Sequence, residues 1–381
     1  MVMITMYKFR YLILLSILYF NYSFLHTNYK FIKKHCNIAL QLYKYEDEYH
    51  DFYNKFKHPV LLLSQNNTTK NSLIEKNKDS YLLFERNYEY IENTNRVLKE
   101  NNESLVLGIN QFADSINFND DTNNDLMEYS INKNTIINNY GDTYFKPFKN
   151  PLEYMNNIIK HKNDHNWNNT IYLSPVKNQE KCGSCWAFST TSAVETFMRI
   201  NNFTVDRLSE QELVDCSIDN NGCSGGIMHK AMDYIIDQKG LHSNTDYPYN
   251  AVDNNCTNLN NVEKVVGSNI TKYEFIIPKS PLDMMISVSK NPIAIGLDAN
   301  NFYFRFYKTG VIDVPSNFSK TLNHAVLLVG YDYDEKGFYW IIQNSWGNTW
   351  GDNGYCKLRV KDNLDSEGVL MCQVYGVYPT K

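Results

Sequence analysis

The chain has 381 residues, enough for two or three compact units with a sizeable core, and its net charge of −5 offers no general basic surface for nucleic acid. Seven of its eight cysteines lie beyond residue 180, so the crosslinked part is C-terminal and belongs to an oxidising compartment. The 29 tyrosines, 20 phenylalanines and recurrent asparagine runs match the codon bias of an AT-rich genome and carry little functional weight.

Lys8 and Arg10 precede the apolar run Tyr11–Phe20, so residues 1–25 read as a signal peptide. The run is shorter than the roughly 20 apolar residues that span a bilayer. Asn21-Tyr22-Ser23 has no small-x-small cleavage site, which leaves an uncleaved signal anchor as the alternative and the one route to a membrane. Asn202, Asn255, Asn269 and Asn317 open Asn-x-Ser/Thr sequons usable on a secretory route, with a lysosome, an acidic vacuole or the outside of the cell as destination.

Residues 40–115 carry aromatics at helical spacing. Tyr45, Tyr49, Phe52 and Phe56 mark one amphipathic helix, and Phe84, Tyr88, Ile91 and Asn95 a second. Residues 116–150 are rich in Asn and Asp and read as a linker or strap, which with the maturation region extends over 116–160.

From residue 161 to 381 a helical half precedes a β half. A helix is predicted from Cys185 to about Ile200. A second follows the capping box Ser209-x-x-Glu212, with Leu208 and Leu213 as its hydrophobic staple, and a third runs from about Ile227 to Gln238 and stops at Gly240. After Pro278 come β-rich runs at 293–297, 324–330, 338–343 and 355–360. Two subdomains facing each other across a cleft, an α+β arrangement, are expected.

The chemistry concentrates in Gln179-Glu180-Lys181-Cys182-Gly183-Ser184-Cys185-Trp186. A thiol, an amide donor and a turn into a helix are the parts of a covalent acyl-transfer site. Taken alone, Cys182-x-x-Cys185 also fits a redox pair or half a zinc site. No preceding βαβ pattern supports the first, and no second ligand pair supports the second, so no metal and no cofactor is expected.

Cys182-Gly183-Ser184-Cys185-Trp186, then Asn323-His324-Ala325-Val326 139 residues after Cys185, then Asn344-Ser345-Trp346-Gly347, resemble the papain-like cysteine proteases of the cathepsin L type. Trp167 lies at the spacing from Gln179 that the family keeps near its mature N-terminus, which puts maturation within 158–165. Phe84-x-x-Asn87-x-x-x-Ile91-x-x-x-Asn95 and Gly108-x-Asn110-x-Phe112-x-Asp114 resemble the family's inhibitory propeptide, although Lys76 and Ser80 stand where the family has Glu and Arg.

The resemblance implies a zymogen whose own propeptide inhibits it, a monomer, and a papain-like fold with protein and peptide substrates. It implies Cys185 as nucleophile, His324 as base, Asn344 as its orienter and Gln179 in the oxyanion hole, with Trp346 shielding. Disulfides Cys182–Cys223 and Cys216–Cys256 follow by resemblance. The family's third bridge has lost the cysteine before the histidine, and Cys356 with Cys372 is the substitute expectation; Cys36 goes with the propeptide. Gly225 and Gly226 would present a backbone edge to an extended peptide. Ile227, Met228, Gly296, Leu322 and Ala325 would line an uncharged pocket for the residue before the scissile one, with Tyr375 as its floor. The family usually has Gly after Gln179, whereas this chain has Glu180. No loop with paired histidines lies between Cys223 and Cys256, which favours endopeptidase action. The rival reading is a catalytically silent protein that uses the same cleft only to bind.

Overall fold

The computed structural model describes residues 44–57, 77–115 and 164–380, apart from 258, 260, 316–320 and 362–365. The N-terminal segment, Cys36, Lys76, Asn317, the linker at 116–150 and most of the expected maturation region lie outside the described residues. The chain forms two compact units that divide within a helix, after Glu85.

The first unit holds α1 (Glu46–Phe56) and the start of α2 (Lys78–Glu100). Acidic Glu46, Asp47 and Glu48 in the first turn of α1 and Lys55 in its last complement the helix dipole. The predicted aromatic stripes meet: Tyr49 lies 5.2 Å from Tyr81 and 5.1 Å from Phe84, and Phe52 lies 5.0 Å from Phe84. All four rings are almost fully buried, so one aromatic cluster is the core here.

In the second unit the rest of α2 carries the polar half of its motif inward. Asn87 donates to the Ala113 carbonyl at 2.9 Å. Asn95 donates to the Leu107 carbonyl at 2.9 Å and accepts the Leu107 N–H at 2.8 Å. A side-chain amide can answer both groups of one residue as a strand partner would, which is why asparagine suits this face. It secures β1 (Val106–Leu107), which pairs with β5 (Tyr307–Thr309).

The three expected helices of the helical half are present: α3 (Cys185–Ile200), α4 (Glu210–Cys216) and α5 (Met228–Asp237). Ser209 caps α4 by accepting the Glu212 N–H at 2.9 Å. The capping box is only half formed, because Glu212 accepts the His242 N–H at 2.7 Å instead of returning to Ser209. Leu208 and Leu213 are fully buried, as a staple requires.

The β half is an antiparallel sheet in the order β3 (Lys272–Phe275), β9 (Gly376–Thr380), β4 (Ile293–Leu297), β6 (His324–Asp334), β7 (Gly337–Gln343) and β8 (Tyr355–Arg359). A short β2 (His165–Asn166) adds to β6. Gly330 makes that contact possible, since a Cβ there would stand 2.1 Å from the His165 carbonyl oxygen. Helices α6 (Pro281–Val288) and α7 (Phe302–Arg305) complete the unit. Strands β3, β5 and β9 and these two helices were not predicted: they are short, and α6 is apolar on nearly every side, which leaves no periodicity to read. Trp167 is buried and donates through its indole N–H to the Val288 carbonyl at 2.6 Å, fastening the segment after β2 to α6.

Candidate active site

Cys185 is the first residue of α3. The Cys182–Cys223 disulfide and the Gly183 N–H donated to the Cys223 carbonyl at 3.0 Å hold the turn before it. Trp186 is fully buried and donates to the Gly222 carbonyl at 3.1 Å, which fixes where the helix starts. The Cys185 sulfur receives backbone N–H groups from Ala325, Trp186 and Cys185 itself. Cys185 therefore lies against the residue that follows His324. Burial outweighs those donors and pushes the thiol up to about 11.

His324 opens β6, and Asn344 follows the end of β7, a strand paired with β6. Their contact, Nε2 of His324 to Oδ1 of Asn344, is 2.8 Å. The same Oδ1 accepts the Ser345 N–H at 2.8 Å, and only a carbonyl oxygen can do that. This fixes the amide orientation, and with it the tautomer: the proton sits on Nε2 and Nδ1 is left bare. Trp346 stacks on the imidazole at 4.7 Å and 29°, and Trp350 and Phe304 back Trp346 at 5.3 and 5.4 Å. The enclosed ring is driven down to about 3, first by burial and further by the Arg305 charge, against the opposing Asn344 hydrogen bond. Burial thus favours the neutral form of both thiol and imidazole.

Gln179 donates one amide N–H to the Cys182 carbonyl at 3.0 Å and accepts the Ser345 hydroxyl at 2.7 Å. Its second amide hydrogen has no acceptor among the described contacts. Glu180, where the family usually has Gly, adopts φ +55°, a region that L-residues occupy at a cost. Asn178 accepts its N–H at 3.1 Å, and the Tyr249 hydroxyl donates to the Gln179 carbonyl at 2.7 Å.

Behind the site lies a buried charge cluster that the sequence did not disclose, because its members are scattered and its helices read as ordinary amphipathic ones. Lys177 reaches Glu195 at 2.8 Å and Glu210 at 2.6 Å, and Arg207 reaches Glu210 at 2.9 Å. Burial raises the Glu210 carboxyl, but Lys177 and Arg207 hold it below its ordinary value. The Gly347 N–H donates to the Lys177 carbonyl at 3.0 Å and the Gln179 N–H to the Ser345 carbonyl at 2.8 Å. The cluster therefore ties the loop of Gln179 to the loop that carries Asn344.

Gly225 (φ +112°) requires glycine, and a Cβ at Gly226 would stand 2.6 Å from the Trp186 ring. At Gly296 the space faces Leu322 and Tyr375, both 3.6 Å from where a Cβ would be. Ile227 caps α5, Met228 begins it, and Ala325 is buried beside His324. The Tyr375 hydroxyl lies 2.9 Å from Nδ1 of buried His229, a partner with no sequence signal.

The disulfides Cys182–Cys223 and Cys216–Cys256 are formed. The expectation for Cys356 with Cys372 is corrected: both are free, buried thiols. Cys356 is held in register opposite Ile342, and Cys372 follows a tight turn with Leu370 and Met371 at positive φ. A bridge needs a specific Cα separation and side-chain direction, so two buried cysteines whose charges feel one another can still stay unbridged.

The propeptide motif lies on this site. Asn110 donates to the Arg305 carbonyl at 2.7 Å and Gln111 to the Trp346 carbonyl at 3.2 Å. The Phe112 ring meets Trp346 edge-on at 4.9 Å.

Residues 161–377 match the family model described as papain family cysteine protease. The senescence-specific cysteine protease of Arabidopsis thaliana is 32% identical over 311 residues, 81% of this chain and 85% of the relative. Cathepsin L2 of Homo sapiens is 41% identical over 216 residues, 55% of this chain and 64% of that protein. Among solved structures, a recombinant stem bromelain precursor matches with a TM-score of 0.67 and 30% identity, covering 87% of this chain and 99% of that one.

Proposed function

From the chain's membership in the papain family of cysteine proteases, we propose the part each residue of its site plays. The protein is a cysteine endopeptidase made as a zymogen.

Cys185 is the nucleophile. Its sulfur attacks the scissile carbonyl carbon while its proton passes to Nδ1 of His324, the nitrogen that the Asn344 contact leaves bare. Charge developing on the carbonyl oxygen meets the free amide hydrogen of Gln179 and the Cys185 backbone N–H, a donor type worth on the order of 3 kcal/mol in the transition state. Collapse breaks the C–N bond, and His324 returns the proton to the departing amine. Water, deprotonated by His324, then hydrolyses the thioester and restores the thiol. Trp346 keeps the His324–Asn344 bond dry.

Gly225 and Gly226 offer the substrate backbone a strand edge. The uncharged lining of Ile227, Met228, Gly296, Leu322 and Ala325, closed by Tyr375, selects a hydrophobic residue before the scissile one. In the zymogen Phe112 and its neighbours cover the site, and the neutral thiol–imidazole pair keeps it silent. The basic and apolar N-terminal run directs the chain into the secretory pathway; no helix among the described residues is long and apolar enough to cross a membrane.

The observation that carries this reading is the doubly anchored Asn344 carbonyl, which sets the tautomer that a general base facing Cys185 needs. A protein that only bound peptides would have no use for it. The test is to express the proform, shift it to acidic pH, and assay a peptide with a hydrophobic penultimate residue alongside a thiol-reactive epoxide. Turnover and labelling of Cys185 are expected. A folded, processed sample that neither cuts nor labels would sink the reading.

A further inference from the structure

Arg305, at the end of α7, is 2% exposed, yet its Nε is buried without a hydrogen-bond partner among the described residues. It lies between two aromatic faces: its guanidinium carbon is 4.7 Å from the centroid of Phe112 and 4.8 Å from that of Trp346. Asp298 supplies opposite charge only at longer range. Its oxygen accepts from Asn323 at 2.8 Å and from the Asn300 N–H at 3.0 Å. A buried guanidinium flanked by two ring faces, with Nε unpaired, keeps donor capacity for a planar acceptor.

Position gives the fork a use. Trp346 lies flat on His324, the group that hands a proton to the departing amine, and Arg305 stacks on that same Trp346. The acyl-side pocket at Gly296, Leu322 and Tyr375 has no contact with Arg305 among those described. Arg305 therefore stands on the leaving-group side, about one ring from the new amino terminus. Its backbone carbonyl is held by Trp350 at 3.2 Å as well as by propeptide Asn110, so part of its support persists once the propeptide is gone.

We propose that Arg305 is a specificity-determining receptor for a carboxylate on the leaving-group side of the scissile bond, and that Phe112 covers this receptor in the zymogen. Planar and bidentate, a carboxylate matches the guanidinium fork, while Trp346 fixes the plane in which the fork lies. The carboxylate comes either from an acidic side chain at the first position after the cut or from the substrate's own C-terminus. The proposal rests on the peptidase reading above.

The test uses the mature enzyme, with rates referred to sites counted by the thiol-reactive epoxide. One set of quenched peptides differs only in Glu, Gln or Lys at the first position after the cut. A second set ends at that position with a free carboxylate or an amide. A preference of about tenfold or more in kcat/KM for the carboxylate member is expected in at least one set, and the set that shows it names the source. For the Glu peptide the preference fades as salt rises and as pH falls through glutamate's ordinary value of about 4.3. Arg305→Gln brings the ratio close to one, and Arg305→Lys keeps part of it, retaining charge but losing the fork. Ratios near one in both sets of the wild-type enzyme, or a preference that survives in Arg305→Gln, overturn the proposal. The wild-type ratios and their salt dependence need no variant to fold. Failure of the peptidase reading is seen separately, as absent labelling and no turnover of the Gln peptide.

Discussion

The side-chain carbonyl of Gln179 accepts the Ser345 hydroxyl at 2.7 Å, which joins the proposed oxyanion donor of one subdomain to the residue beside Asn344 in the other. The contact makes the direction of the Gln179 amide depend on the loop that also orients His324. Gln179→Glu keeps an acceptor for Ser345 but removes the donor, and should lower kcat by about 10²–10³ with a much smaller change in KM. Steady-state kinetics on the processed variant check this; an unchanged kcat would remove Gln179 from the oxyanion site.

The state of the thiol should distinguish zymogen from mature enzyme. With Cys185 raised to about 11 and His324 lowered to about 3, burial favours the uncharged form of both between those limits. Alkylation of the intact proenzyme by iodoacetamide should stay slow from pH 4 to 9 and rise only as pH approaches the thiol's own value. Once the propeptide leaves and water reaches the pair, the mature enzyme should alkylate quickly on the acid side of neutrality. Equal rates for the two forms at pH 6 would show that covering the cleft does not set the charge state.

The cluster behind the site bears on acid tolerance. The Glu210 carboxyl is held below its ordinary 4.5 by Lys177 and Arg207 against the effect of burial. A depressed folded value contributes stability above the unfolded one, and that contribution is lost as pH falls below about 4.5. Lys177→Met leaves Glu195 and Glu210 buried without the cation between them, at a cost of about 3–5 kcal/mol. Thermal melts from pH 3 to 7 should show the wild type losing stability below that point. The variant should melt lower at pH 7 and recover part of the difference in acid, where protonation removes the repulsion. A variant that melts with the wild type at pH 7 would reduce the cluster to decoration.

Much of this was legible because the chemistry is local in sequence. The turn into α3, the Asn-His-Ala and Asn-Ser-Trp runs, and the paired asparagines of α2 each sit within a few residues, and the order of the elements agrees with them. What was not legible depends on distant residues meeting. Arg305 sits in an aromatic run with no motif to mark it, and only folding sets it between Phe112 and Trp346. Lys177, Glu195 and Glu210 become a cluster only when α3 and α4 pack. The error over Cys356 and Cys372 has the same origin, since the loss of the family's cysteine before the histidine says nothing about the geometry between the two that remain.

That correction has a direct check. Among the described cysteines, Cys185, Cys356 and Cys372 are free. The processed enzyme, denatured without reductant and alkylated, should therefore take up three labels, mapped to those residues by peptide mass. A single label at Cys185 would restore the bridge.

Glu180 presents the opposite situation, a departure visible in the sequence whose meaning needed the backbone. Its φ of +55° places an L-residue in the left-handed region, at a cost of about 1–2 kcal/mol that glycine does not incur. Glycine gives back about 0.5–1 kcal/mol through the greater freedom of its unfolded chain. Glu180→Gly should therefore stabilise the processed enzyme by about 0.5–1 kcal/mol, a rise of roughly 1–4 °C in Tm for a domain of this size. The Asn178 side chain accepts the Glu180 N–H whichever residue is present, so the turn should keep its shape and Gln179 its aim. If the melting temperature rises while kcat/KM toward neutral peptides holds, the strain at Glu180 is purely conformational. If activity falls as stability rises, the strained loop is helping to position the oxyanion donor, and the chain retains Glu180 for that reason. A lower melting temperature would contradict the left-handed backbone itself.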